Sequence, residues 1–178
     1  RVTDNGCGIE REDLPMSVRR HATSKIKNEN DLAAIMTLGF RGEALAAIAA
    51  VSDVRIISKT RDAKVGAMLS ASGGNILGVT ERAASDGTTV IVENLFANVP
   101  ARRKFLKTAQ TEGSHVADLV EKIALSHPEI SIRLIVNNQN KLHTSGNHNL
   151  KDIIYTIYGR EITANLIPLK IEHEVVRV

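Results

Sequence analysis

The sequence predicts an α+β fold, a two-layer sandwich in which a mixed β-sheet carries helices on one face. Three observations lead there. Apolar residues recur at helical spacing in one segment, at Val116, Leu119, Val120 and Ile123. They alternate strictly in another, at Ile130, Ile132, Leu134 and Val136, as a half-buried strand requires. Between helical segments lies a Gly-Gly turn, Ser72-Gly73-Gly74, flanked by strand-like runs over 65–70 and 75–82, so strands come grouped as hairpins.

Taken in order, Val2 and Thr3 end a short strand, and Asp4-Asn5-Gly6-Cys7-Gly8-Ile9 forms a turn after it. A helix is expected over about 11–21, then a polar stretch through Thr23, Ser24 and Lys25, then a short helix from about Asp31. Residues 43–51 are Ala-rich and form a further helix with Leu45, Ile48 and Val51 facing inward. The period then changes to two: strands are expected at 54–58, in the hairpin, and at 88–92, where β-branched residues dominate. Pro100 suits the first turn of a helix, which Phe105 and Leu106 would anchor to the core. The amphipathic helix through Val116 stops before Pro128, because the residue preceding proline is pushed out of the helical region. Residues 139–149 turn polar and rich in Asn, His and Gly, as a linker or an exposed hairpin would. A domain boundary is placed near Asn147, giving one domain over 1–147 and the beginning of a second α+β domain over 148–178. In the latter, Leu150, Ile153, Ile154 and Ile157 share a helical face and 167–178 return to strand-like alternation. So short a tail cannot bury a core of its own, and the sequence is expected to be an interior slice of a longer protein.

Composition excludes several classes of function. At 178 residues and 43% apolar content the chain can furnish the core of a soluble globular domain. It has no apolar run of the roughly eighteen residues a membrane helix needs, and its polar start is no secretory signal. The single Cys7 cannot form an internal disulfide, the six histidines lack metal-ligand spacing, and no Walker-type phosphate loop occurs. A net charge of +3 permits nucleic-acid binding without demanding it. The basic residues Arg102, Arg103, Lys104 and Lys107 could meet DNA phosphates, meet a neighbouring subunit, or form a solvated face. Three phenylalanines and two tyrosines are too few for a stacking platform on single strands.

Three stretches carry candidate chemistry. In Gly39-Phe40-Arg41-Gly42-Glu43-Ala44-Leu45, the glycines allow positive φ and close backbone approach, and the helix that follows presents free N–H groups to an anion such as phosphate. Alone, such a run more often means a turn before a core helix. Asp4, an acceptor when ionised, suits the exocyclic amine of adenine, with Gly6 and Gly8 leaving room for the ring; a plain Asx turn is the competing reading. Thr23, Ser24 and Lys25 place hydroxyls and an ammonium together, which suits phosphate oxygens or a solvated turn.

Five blocks in this order resemble the MutL family of DNA mismatch-repair proteins. They are Asp4 to Ile9, Arg20 to Ile26, Gly39 to Leu45, Gly87-Thr88-Thr89, and Asn98 to Leu106. That family belongs to the GHKL ATPases, which share the Bergerat nucleotide-binding fold. The resemblance implies that Asp4 contacts the adenine amino group, that Gly6 and Gly8 shape the pocket beside Ile9, and that Thr88 supports Asp4. It implies that Thr23, Ser24 and Lys25 lie in a lid over the nucleotide and that Gly39, Phe40, Arg41, Gly42, Glu43, Ala44 and Leu45 wrap the phosphates. The cofactors implied are ATP and Mg²⁺. The partners implied are a second MutL-type subunit, the mismatch-recognition protein MutS, DNA and a nicking endonuclease. The tail over 148–178 would begin a ribosomal-protein-like domain, and the compartment would be cytoplasmic in a bacterium or nuclear in a eukaryote.

One departure limits the expectation. In the family, a helix bearing a catalytic Glu and a Mg²⁺-holding Asn precedes the Asp turn, whereas this sequence starts three residues before Asp4. Nor does it reach the lysine that a second domain supplies. No catalytic residue and no metal ligand is therefore assigned in this chain, Glu43 included, and efficient ATP hydrolysis by it is not expected. The function expected is an ATP-driven dimerisation switch in mismatch repair. A non-catalytic DNA-binding or interaction module and a GHKL ATPase of another family, such as a topoisomerase subunit, are the alternatives.

Overall fold

The computed structural model describes residues 1–26, 31 and 37–169. The short helix expected from Asp31 and the strand expected over 167–178 lie, apart from Asp31 and residues 167–169, outside the described residues. The chain forms two compact units, Arg1–Phe105 and Leu106–Val178.

In the first unit five strands pair in the order β1-β5-β2-β3-β4: β1 Val2–Thr3, β2 Asp53–Lys59, β3 Gly66–Ser72, β4 Asn75–Arg82 and β5 Gly87–Glu93. Every ladder among the described residues is antiparallel. Two short helices, α1 Leu14–Ser17 and α2 Ala44–Ala49, cover one face, so the α+β class is as the sequence predicts. Alternation in β2 decides which face that is. Val54 and Ile56 point inward and are 1% and 0% exposed, while Arg55 between them is exposed. Ile56 lies opposite Leu69 on one side and Val90 on the other, and Leu14 and Ala49 pack onto this row from the helices.

The β3–β4 turn is formed by Gly73 and Gly74 at φ 55° and 86°, the left-handed pair that a tight hairpin with right-handed twist requires. The same turn caps α2. Gly74 N–H donates to Ala49 O at 2.8 Å, taking up a carbonyl the helix end leaves free. On the other face of the sheet, Arg55 pairs with Glu93 at 2.5 Å and Lys59 with Asp86 at 2.6 Å. Asp53 accepts from Asn94 at 2.7 Å and Ser72 at 2.5 Å, and these two hydrogen bonds hold its carboxyl below the usual carboxylate range.

Two expectations in this unit are corrected. The helix expected over 11–21 shrinks to the single turn α1, because Pro15 has no N–H to extend it backwards and His21, at φ 63°, has already left the helical region. Around α3, Pro100–Arg103, Phe105 is 81% exposed and Leu106 39% exposed, so neither anchors the turn. A one-turn helix has little inward surface, and here the half-buried residues are Phe96 and Val99, ahead of it.

The second unit comprises α4 Ala109–Ser126, the hairpin β6 Arg133–Val136 with β7 Gln139–His143, and α5 Leu150–Ala164. Its core is Ala124, Leu142 and Ile153, with Val120, Leu134 and Ile157 packed around them. Helix α4 stops before Pro128 as expected, but its inward face is rotated from the one predicted. Val116 and Leu119 are 50% and 58% exposed, whereas Gly113, Ala117, Val120 and Ala124 turn inward. Small residues win this face because the hairpin comes close: a Cβ on Gly113 would stand 3.0 Å from Val136 Cγ1. The polar stretch 139–149 is the strand β7 and the turn before α5. That helix packs within this unit through Ile153 and bends at Gly159, whose φ is 80°. No helix among the described residues is long and apolar enough to cross a membrane.

Candidate nucleotide-binding site

Asp4 extends the β1–β5 ladder by one hydrogen bond, its N–H donating to Thr88 O at 2.9 Å. Its carboxylate is held from two sides. Oδ1 accepts from Gly6 N–H at 2.8 Å and from Thr88 N–H at 3.1 Å, while Oδ2 has no protein partner among the described residues. The Asx turn posed by the sequence is present and is closed through Oδ1 alone. Thr88 supports Asp4 through its backbone. Its hydroxyl instead shares a 2.9 Å hydrogen bond with Ser58 Oγ.

Ser58 is the residue that sequence reasoning missed. It is 1% exposed, accepts from Ile9 N–H at 2.8 Å, and lies 3.0 Å from Gly87 O and 2.9 Å from Thr88 Oγ1. One hydroxyl therefore ties the turn after Asp4 to β5. The signal was present, since Ser58 follows Val54 and Ile56 at the inward positions of β2, where a polar side chain needs a buried partner. Ser58→Ala should cost about 1–3 kcal/mol, because it strands the Ile9 N–H; a shift of the urea midpoint with unchanged slope checks it. Gly8, at φ 77°, sits so near the end of β2 that a Cβ would stand 2.3 Å from Lys59 O.

The second group forms around Gly42, at φ 64°. Its carbonyl accepts from His21 N–H at 3.1 Å, and a Cβ there would stand 2.1 Å from Ala22 O. His21 and Ala22, just ahead of the Thr23-Ser24-Lys25 stretch, are thereby brought against the 39–45 loop at Gly42. Thr23 Oγ1 accepts from Lys25 N–H at 3.2 Å, and all three residues are exposed. Arg41 stacks over Phe40, its guanidinium carbon 5.4 Å from the ring centre. Glu43 is the N-cap residue of α2 and makes no side-chain cap; its carboxylate lies 3.5 Å from His21 Nδ1. Ala44 begins α2, and Leu45 packs on the same core as Ile9, so one core carries both groups.

Arg102, Arg103 and Lys104 are exposed on and just after α3. Lys107 belongs to the second unit, where its N–H donates to Glu112 Oε1 at 2.8 Å in front of α4. Among the described residues no group of three or more His, Cys, Asp or Glu could hold a metal ion.

The α+β fold, an antiparallel sheet with helices on one face, matches that of solved MutL ATPase domains. Comparisons with known proteins agree. The Aquifex aeolicus MutL ATPase domain complexed with ADP superposes with a TM-score of 0.71 at 31% identity, over 88% of this chain and 55% of that one. The N-terminal domain of a DNA repair protein superposes with a TM-score of 0.68 at 27% identity, over 88% of this chain and 46% of that one. No family model matches the chain. In sequence it is 57% identical over 178 residues to the DNA mismatch repair protein MutL of Agathobacter rectalis, covering 100% of this chain and 28% of that protein. It is 48% identical over 172 residues to MutL of Bacillus mycoides, covering 97% of this chain and 27% of that protein. The chain belongs to the MutL family and spans little more than a quarter of the length of these relatives.

Proposed function

We propose that this chain is the ATP-binding module of a MutL-type DNA mismatch-repair protein, a nucleotide-driven dimerisation switch that couples mismatch recognition to strand incision. The observation that carries the proposal is the Asp4 carboxylate, fixed through Oδ1 by two backbone N–H groups with Oδ2 left to accept. In this reading Oδ2 takes the adenine amino group, and Gly6, Gly8 and Ile9 border the ring. Thr23, Ser24 and Lys25 and the 39–45 loop meet the phosphates. ATP supplies the driving energy because contacts made only to its terminal phosphate favour one conformation over the other. Mg²⁺ accompanies the nucleotide, on ligands outside the described residues.

The rest of the proposal concerns the whole protein. Residues 1–147 belong to the ATPase domain and 148–178 begin a second, ribosomal-protein-like domain. The partners are a second MutL-type subunit, MutS, DNA and a nicking endonuclease activity. Arg102, Arg103, Lys104 and Lys107 are candidates for contact with DNA or with the partner subunit. The bacterial relatives favour a cytoplasmic protein.

The test is calorimetric titration of a non-hydrolysable ATP analogue with Mg²⁺ into the chain and into Asp4→Asn. Asn keeps an oxygen for the two N–H donors but turns a donor toward the adenine amine. A charged hydrogen bond is worth about 1.5–3 kcal/mol, so affinity should fall roughly 10- to 100-fold. Equal affinities would remove Asp4 from the site and with it the proposal.

A further inference from the structure

We infer that His21 and Glu43 are a positioning pair that clasps the 21–25 segment onto the 39–45 loop. Three contacts converge on this junction. His21 N–H donates to Gly42 O at 3.1 Å, Gly42 lies against Ala22 with no room for a Cβ, and His21 Nδ1 stands 3.5 Å from Glu43 Oε1. His21 itself adopts φ 63°, a left-handed conformation that few non-glycine residues take, His, Asn and Asp more often than the rest. Such a conformation persists where the surroundings over-determine it, and here a backbone hydrogen bond and a side-chain contact from the same residue both end on neighbouring positions of the loop.

The pair is exposed, at 78% and 53% of the side chains, and an exposed ion pair by itself contributes little. What gives it consequence is placement. Glu43 puts a carboxylate in the loop proposed to receive phosphates, where a free anion would repel them. Set against His21, that carboxylate faces the 21–25 segment, and the same contact helps keep the hydroxyls and ammonium of Thr23, Ser24 and Lys25 by the loop. The effect on nucleotide binding rests on the reading proposed above, whereas the clasp itself does not.

The test uses His21→Gly, His21→Asn, Glu43→Gln and the double variant His21→Gly with Glu43→Gln. Gly and Asn both accept the left-handed backbone, so folding is preserved; only Asn keeps an N–H donor near the position of Nδ1. Amide hydrogen exchange without nucleotide should show the residue-21 amide exchanging roughly 5-fold faster in Glu43→Gln and His21→Gly, and near wild type in His21→Asn. The Glu43 variant carries the decision, since Gly adds backbone freedom of its own. Affinity for the ATP analogue should fall about 5-fold in His21→Gly and in Glu43→Gln with no further loss in the double and with His21→Asn near wild type, while affinity for adenosine holds. Unchanged exchange in Glu43→Gln, or additive losses, or an equal loss for adenosine, would overturn the clasp. Exchange that responds as expected in a chain that binds no nucleotide would keep the clasp and remove the nucleotide reading.

Discussion

Gly87→Ala is expected to destabilise the first unit more than any other single substitution considered, by roughly 3 kcal/mol or more. Gly87 is buried at φ 107°, and a Cβ there would stand 2.2 Å from Asp4 O and 2.9 Å from Asn5 Cα. Both contacts are to backbone, which cannot rotate out of the way as a side chain can. The left-handed conformation alone costs an alanine about 1–3 kcal/mol, and relief of the clash requires the turn after β1 to lift from β5. That movement would break the Asp4–Thr88 hydrogen bonds and disturb Ser58, which lies 3.0 Å from Gly87 O. In urea, with a slope of about 2 kcal/mol/M, the midpoint should fall by about 1.5 M. Binding of the ATP analogue should be lost even where the variant remains folded, because Asp4 has been displaced. A midpoint within about 0.2 M of wild type would mean that the turn has slack it does not display.

This prediction marks the limit of what the sequence discloses. The β3–β4 hairpin was legible because Ser72-Gly73-Gly74 states a local conformational need, and β2 because its alternation is local too. The Asp4–Thr88 bond joins residues 84 apart, and Ser58 reaches Ile9 across 49. No spacing rule encodes such partners; only the topology that lays β5 between β1 and β2 brings them together. Helix α4 shows a subtler failure. Its apolar residues were real and its length nearly right, but Val116, Leu119, Val120 and Ile123 assume that the larger apolar groups face the core. Gly113, Ala117 and Ala124 show that close approach of the hairpin can outweigh side-chain size in choosing the face. The candidate site residues were singled out by their chemical types, and the resemblance implied roles that the bare motifs left open. What neither supplied was the division of labour between Asp4's two oxygens.

The two glycines of the 39–45 loop were alike in the sequence and are unlike in the structure, and that contrast yields the last prediction. Gly42 needs to be glycine: its φ is 64°, and a Cβ would stand 2.1 Å from Ala22 O and 2.9 Å from Ala22 N. Gly39 has no such need, for its φ is not positive and a Cβ there would meet nothing within 4 Å. Gly42→Ala should therefore destabilise by about 2–3 kcal/mol, part of it strain and part the separation of the 21–25 segment from the loop. Gly39→Ala should leave stability within about 0.5 kcal/mol. Nucleotide affinity then becomes informative in a way stability alone is not. Open space at Gly39 is what close approach of a phosphate to the backbone would require, so Gly39→Ala should weaken the ATP analogue while leaving the urea midpoint in place. Adenosine, which has no phosphate to bring near the loop, should bind both Gly39→Ala and the unaltered chain alike. Equal weakening of adenosine would locate the effect away from the phosphates, and unchanged affinity for the analogue would mean that the loop's glycines serve the fold alone.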